Sequence, residues 1–198
     1  MTFDRTVLER GAVAAAPLLL GAILTHRGVS VRITELEAYV GGGVDPGSHA
    51  HRGKTNRNAS MFGPPGHLYA YFTYGMHTCA NIVCSPDGTA SGVLVRAGEV
   101  VDGVDVAHGR RPTSKKDRDL ARGPALLTLA LGISLSDNGA DLNEPPFDLE
   151  FPAASAVYET GPRTGLSGEG GTDAFPWRFW IPGEPSVSPY KRHPKLPR

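Results

Sequence analysis

The chain has 198 residues and a mass of 21.0 kDa, which suits one domain and excludes most multidomain machines. A hydrophobic content of 40% and a mean hydropathy of -0.20 supply a core and exclude a disordered chain, while 25 Gly and 17 Pro favour turns and strands over a helical bundle. Twenty Lys and Arg balance twenty Asp and Glu, so the total charge names no polyanionic partner.

Residues from about Asp4 to Leu24 predict a helix, with Val7, Leu8, Leu18, Leu19 and Ile23 apolar and Gly28 near its exit. Its apolar part, Ala12 to Leu24, is too short for a bilayer, which needs about 20 residues, and Pro17 interrupts it. Asp4 and Glu9 offset Arg5 and Arg10, so the segment also lacks the cationic start of a signal peptide. From Val29 to Val40 the pattern changes to period two. Val29, Val31 and Ile33 share a face with Glu35, Glu37 and Tyr39, yet the apolar positions move to Leu36, Ala38 and Val40. A bulge, or a strand buried on both faces, is expected there.

A glycine-rich loop, Gly41 to Gly47, leads to His49 and His51. Two strands are expected between His67 and Cys84, flanking a hairpin tip at Tyr74-Gly75, followed by a strand from Ser91 to Ala97. Asp102 to Asp119 reads as an exposed, mobile connection. Gly123-Pro124 opens a helix with Leu126, Leu127, Ala130 and Leu131 buried, and Ser136 to Gly139 is a turn. Short strands are expected at Phe147 to Phe151, Ala156 to Glu159 and Trp177 to Ile181. Gly161 to Thr172 is expected to be a flexible loop, and residues 185–198 a loosely packed tail on a single domain spanning 1–198.

Charge is segregated along the chain. Pro46 to Pro86 contains no acid but carries Arg52, Lys54 and Arg57, whereas Gly123 to Pro162 contains no Lys or Arg. Either an anion-facing surface or ordinary solvated charge accounts for this. Two cysteines, Cys79 and Cys84, provide no disulfide framework, so a reducing cytoplasm is the expected compartment.

Glu37 lies mid-strand among apolar residues, where it is either a surface acid or a buried one that requires a partner. Tyr39 beside it offers an aromatic shelf, and Arg96, ending another strand, is a candidate partner that would keep Glu37 ionised, in a structural pair or in a site. His49, His51, His77, Cys79 and Cys84 match no established zinc pattern, so no metal is expected. Tyr69, Tyr71 and Phe72 suit a packed core. Tyr74 at a hairpin tip in an acid-free segment suits a wedge between stacked bases.

Three runs in order, Thr34-Glu35-Leu36-Glu37-Ala38-Tyr39, Asp45 to Thr55 and Met61 to Tyr69, resemble the 3-methyladenine (alkyladenine) DNA glycosylase family. Tyr74 to Asn81, Val93 to Ala97, Gly123 to Leu127, Gly161 to Gly165 and Gly183 to Ser188 continue the resemblance through most of the chain. It implies an α+β fold in which helices flank a curved, mainly antiparallel sheet, like the C-terminal domain of methionyl-tRNA formyltransferase. It further implies a monomeric, monofunctional, metal- and cofactor-free glycosylase acting on double-stranded DNA containing damaged purines, in the cytoplasm and, in a bacterium, at the nucleoid. By the same resemblance Glu37 is the general base. Arg96 and the main-chain carbonyl of Thr164 help hold the water, Tyr39, His49 and Tyr71 enclose a flipped base, and Asn81 disfavours guanine. Tyr74 intercalates, with Gly75 and Met76 beside it, and Arg52, Lys54 and Arg57 are the expected DNA contacts.

Overall fold

The computed structural model describes residues 3–73 and 75–196. In place of one N-terminal helix there are three elements: helices α1 (Arg5–Leu8) and α2 (Ala12–Leu19), then strand β1 (Ile23–His26). Gly11 separates the helices at φ 87°, a conformation that residues with a Cβ rarely take, and Gly21 at φ 85° turns the chain into β1. The apolar spacing was therefore that of α1 and α2 only. Leu8, Ala12, Ala15, Ala16 and Leu19 are fully buried at helical intervals.

Strand β2 (Val29–Val40) is the spine of the sheet. It pairs along its length with β5 (Ser91–Asp102), which continues five residues beyond the expected end. Its other edge is shared: β1 covers Val29 to Arg32, and β8 (Arg178–Trp180) covers Glu35 to Glu37. The register against β5 shifts between Ile33 and Leu36, where that partner changes, so the expected bulge is present. Gly98 makes it feasible, because a Cβ there would run into the Val31 side chain and the Arg32 carbonyl. Val29, Val31 and Ile33 before the bulge, and Leu36 and Ala38 after it, all enter the main core. Glu35, Glu37 and Tyr39 are thereby assigned together to the opposite side.

The hairpin is formed by β3 (Leu68–Thr73) and β4 (His77–Val83), and helix α4 (Pro124–Leu131) packs on β4 and β5. With β6 (Phe147–Glu150) the sheet order is β3-β4-β5-β2-β1-β6, and β7 (Glu159–Gly161) joins through β8. All the pairings are antiparallel, and the class is α+β. Strand β7 begins where the expected Ala156 to Glu159 strand was to end. The expected turn at Ser136 to Gly139 begins as a 3-10 turn, Leu135–Asp137, closed by a capping box between Ser134 and Asp137.

Two further expectations are corrected. The connection after Asp102 contains helix α3 (Val104–Arg110), anchored by fully buried Ala107 and by Arg110 Nη1 donating to the Ala130 carbonyl at 2.8 Å. One buried alanine leaves no apolar period to read. The loop from Gly161 to Thr172 is pinned by Arg163, whose side chain is wholly inaccessible. After Pro185, Ser186, Ser188 and Leu196 are buried, with the Thr34 and Ser186 hydroxyls 2.9 Å apart, while Pro189 to Arg192, Pro194 and Lys195 are exposed. Among the described residues no helix is long and apolar enough to cross a membrane.

Candidate active site

On the side of β2 away from the main core, a cavity of about 290 Å³ opens over Glu37, with walls from β3, β4, β5, the loop before His49 and the loop at Thr164. A second small core of Ala50, Met61, Tyr69, Val83 and Ala90 supports it from beneath. The bulge in β2 is what turns Glu37 towards this space.

Glu37 is 1% exposed. Its Oε2 accepts the Tyr39 hydroxyl at 2.8 Å, its Oε1 accepts the Thr164 N–H at 2.7 Å, and Arg96 Nη1 lies 3.5 Å from Oε1. Glu37 is thus a buried acid with partners. Burial and the Glu37 charge hold the Tyr39 phenol well above its usual pKa, so it remains a donor. For Thr164, the contact observed is its N–H on Glu37, a different main-chain group from the carbonyl expected to act on water.

Arg96 is held mainly by a residue to which sequence reading assigned no role. Its Nε stands 2.9 Å from Oε1 of Glu35, which is fully buried, and 3.2 Å from Ser188 Oγ. Glu35 also accepts Arg178 Nε at 2.7 Å and the Ser188 N–H at 2.7 Å. Burial opposes the charge on Arg96, but Glu37 and Glu35 outweigh it and its pKa is raised. The available signal for Glu35 was its shared parity with Glu37.

The aromatic wall is ordered by alternation along β3. Tyr69 and Tyr71 stack with centroids 5.5 Å apart, and His49 meets Tyr71 edge-on at 4.6 Å while its Nδ1 lies 3.1 Å from the Tyr69 hydroxyl. Tyr69, fully buried and also lining the cavity, is read from the sequence as core, without a site role. Burial pushes the Tyr69 pKa up to about 12 and raises that of Tyr71 further, while burial and then the Arg57 charge lower that of His49. At neutral pH the wall is therefore uncharged. Asn81, opposite Tyr69 across the hairpin, donates Nδ2 to the Tyr69 carbonyl at 3.0 Å and lines the same cavity.

The His49 loop is fixed by Asn58, whose Nδ2 donates to the His49 and Gly53 carbonyls at 2.9 and 3.0 Å. Gly47 lies so close to Leu166, Arg163 and Asp45 that a Cβ would collide with them. Arg52, Lys54 and Arg57 are exposed, and Arg57 Nη2 donates to the Phe72 carbonyl at 3.1 Å, tying the basic loop to the hairpin. Gly75, at φ 68°, and Met76, 69% exposed, form the described part of the tip. Tyr74 lies outside the described residues. Among the described residues no three His, Cys, Asp or Glu side chains are grouped to hold a metal ion.

The profile of the family described as methylpurine-DNA glycosylase (MPG) matches residues 6–185. The chain belongs to that family. It is similar to a protein of Leifsonia xyli, 61% identical over 209 aligned positions that cover 98% of each chain. It is also similar to proteins of Nocardia farcinica, 53% identical over 92% of this chain and 89% of the relative, and Streptomyces avermitilis, 48% identical over 96% and 94%. All three relatives are provisionally named 3-methyladenine DNA glycosylases. As a methylpurine-DNA glycosylase the protein is a DNA repair enzyme that acts on DNA and hydrolyses N-glycosyl bonds. Glu37, Tyr39, His49, Tyr71, Asn81, Arg96 and Thr164 all line the cavity, whereas Arg52, Lys54, Arg57, Gly75 and Met76 do not.

Proposed function

We propose that this glycosylase flips alkylated or deaminated purines, among them 3-methyladenine, 7-methylguanine, ethenoadenine and hypoxanthine, out of duplex DNA and cleaves their glycosidic bond with a water activated by Glu37. The reading is carried by one observation: a buried carboxylate with both oxygens held by fixed donors, at the base of an aromatic-walled cavity. A volume of about 290 Å³ is at the small end of ligand pockets, which run from about 300 to 1,000 Å³, and suits a single base.

A base inside a duplex is out of reach, and damaged or mispaired bases cost least to extrude. In the pocket the base lies between Tyr39 on one side and His49 and Tyr71 on the other, and an alkylated purine's positive charge is attracted by the tyrosine faces. Glu37 accepts a proton from water as the oxygen bonds to C1′ and the bond from C1′ to the base nitrogen breaks, its electron pair leaving with the base. Arg96 and the Thr164 carbonyl hold that water. General base catalysis of this kind contributes about 10²- to 10⁴-fold. A cationic base leaves without further help, whereas hypoxanthine requires protonation. Asn81 disfavours guanine through its 2-amino group.

Tyr74 fills the gap in the stack with Gly75 and Met76 beside it, and Arg52, Lys54 and Arg57 meet phosphates. The enzyme works as a monomer of one domain and starts base excision repair. Single-turnover release from duplexes carrying ethenoadenine or hypoxanthine, and from methylated DNA, with chelator present and Glu37→Gln alongside, tests the reading. Release by the wild type and none by the variant is expected. Binding without release would indicate a non-catalytic module, loss of release on adding chelator a metal hydrolase, and release surviving in the variant a different base.

A further inference from the structure

We propose that Glu35 is a positioning residue for this reaction: it holds Arg96 back from Glu37, so that Glu37 keeps its strength as a base. The proposal rests on the reading of Glu37 as the base. Glu35 precedes Glu37 by two residues on the same side of β2 and is completely enclosed. Its carboxylate is held by Arg96 Nε at 2.9 Å, Arg178 Nε at 2.7 Å and the Ser188 N–H at 2.7 Å, whereas Arg96 Nη1 is still 3.5 Å from Glu37. A charge-assisted N–H···O bond closes to about 2.7–2.9 Å. Arg96 is thus engaged at its inner edge by Glu35 and Ser188 Oγ, and does not form the tight pair with Glu37 that its reach would permit.

Two carboxylates and two guanidinium groups balance here, so the electrostatic question is how Arg96 is shared. If Glu35 loses its charge, Arg96 has one remaining anion in reach, and a cation at contact distance lowers a carboxylate's proton affinity by about 1–3 pH units. The weaker base then removes the proton from water less readily. Other groups reach Glu37 without taking its place as the titrating acid. Tyr39 on β2, Tyr71 on β3 and Cys79 on β4 are all pushed up by burial and stay neutral. Arg178 on β8 is paired with Glu37 in the strand register, and Pro124 and Ala125 at the start of α4 carry no titrating group. His49 and His77 complete the walls; burial keeps His49 neutral towards the acid side, and His77 is removed from the comparison by measuring every variant in its presence.

The experiment follows the Glu37 carboxyl carbon by ¹³C NMR against pH in the full chain, its signal assigned by its loss in Glu37→Gln, together with the pH profile of single-turnover release. In Glu35→Gln the Glu37 titration and the acid limb of release are both expected to move down by about 1 unit or more, with a plateau slower by up to about tenfold for each unit, and Glu35→Asp is expected to restore part of both. In Arg178→Gln both move up, because a cation beside Glu37 is lost and Glu35, relieved of its other guanidinium, binds Arg96 more closely. A purely structural role for Glu35 would slow release without moving either midpoint. A folded Glu35→Gln with an unmoved Glu37 titration overturns the proposal. If that variant does not fold, Arg178→Gln decides: an unmoved or lowered titration overturns it equally. If the wild type releases no base, the functional reading fails, and the carboxyl titration still decides the role of Glu35.

Discussion

Asp45 and Arg163 form a fully buried bidentate pair, with Nη1 to Oδ2 and Nη2 to Oδ1 both at 2.6 Å and neither side chain accessible. Arg163 also donates to the Ala38 and Gly170 carbonyls at 2.8 Å each, and its guanidinium lies 4.5 Å from the Tyr39 ring centroid. One side chain therefore joins the end of β2, the loop that carries His49 and the loop that carries Thr164. Removing one partner leaves an uncompensated buried charge. Asp45→Asn is expected to cost about 3–5 kcal/mol in urea unfolding, and Asp45→Asn with Arg163→Met less than the sum of the two single changes. Additive losses would show that the pair is not coupled.

Tyr39→Phe removes the hydroxyl from Glu37 Oε2 and leaves the ring in place. A hydrogen bond to the charged form lowers a carboxylate's proton affinity and contributes about 1.5–3 kcal/mol, so the acid limb of single-turnover release is expected to move up by about 1 to 2 pH units, with DNA affinity nearly unchanged. An equal loss of affinity and rate would assign the hydroxyl to substrate binding instead.

His26 is fully buried, stacks on Phe147 at 4.1 Å and has Nδ1 2.9 Å from the Leu131 carbonyl, which makes Nδ1 the protonated nitrogen of the neutral ring. Burial holds its pKa below the usual 6.5, as it does for His49. Below about pH 6.5 the unfolded chain takes up protons that the native state resists, so this stability is fully present above that pH and is lost as pH falls. The unfolding free energy read from urea titrations is expected to drop between pH 7 and 5, by up to about 1.4 kcal/mol per unit for each histidine. His26→Asn, which keeps a donor towards Leu131, is expected to flatten the dependence.

Arg52, Lys54 and Arg57 are exposed beside the hairpin. If they meet phosphates, each neutral replacement is expected to reduce the slope of log affinity against log salt by about 0.9. Fluorescence anisotropy with undamaged duplex measures it, and three unchanged slopes would remove this face from the DNA interface.

Much of the site's backbone was legible. Period two along Val29 to Val40, with its change of parity, indicated the bulge and brought Glu37 and Tyr39 together, and the glycine-flanked aromatic runs indicated the β3–β4 hairpin. The first segment was misread because the apolar residues of α2 and β1 run together without a polar break, and the conformation of Gly21, rather than a change in hydrophobicity, separates them.

The sequence alone determined which residues alternate, where the chain turns and which motif blocks match the family, because these depend on neighbours within a few positions. Tertiary structure decided which buried charges meet. Asp45 finds Arg163 across 118 residues, and Glu35 finds Arg178 across 143 and Ser188 across 153. Such pairings have no local periodicity. They arise because burial demands a partner for every charge, and only the curled sheet determines which one is in reach.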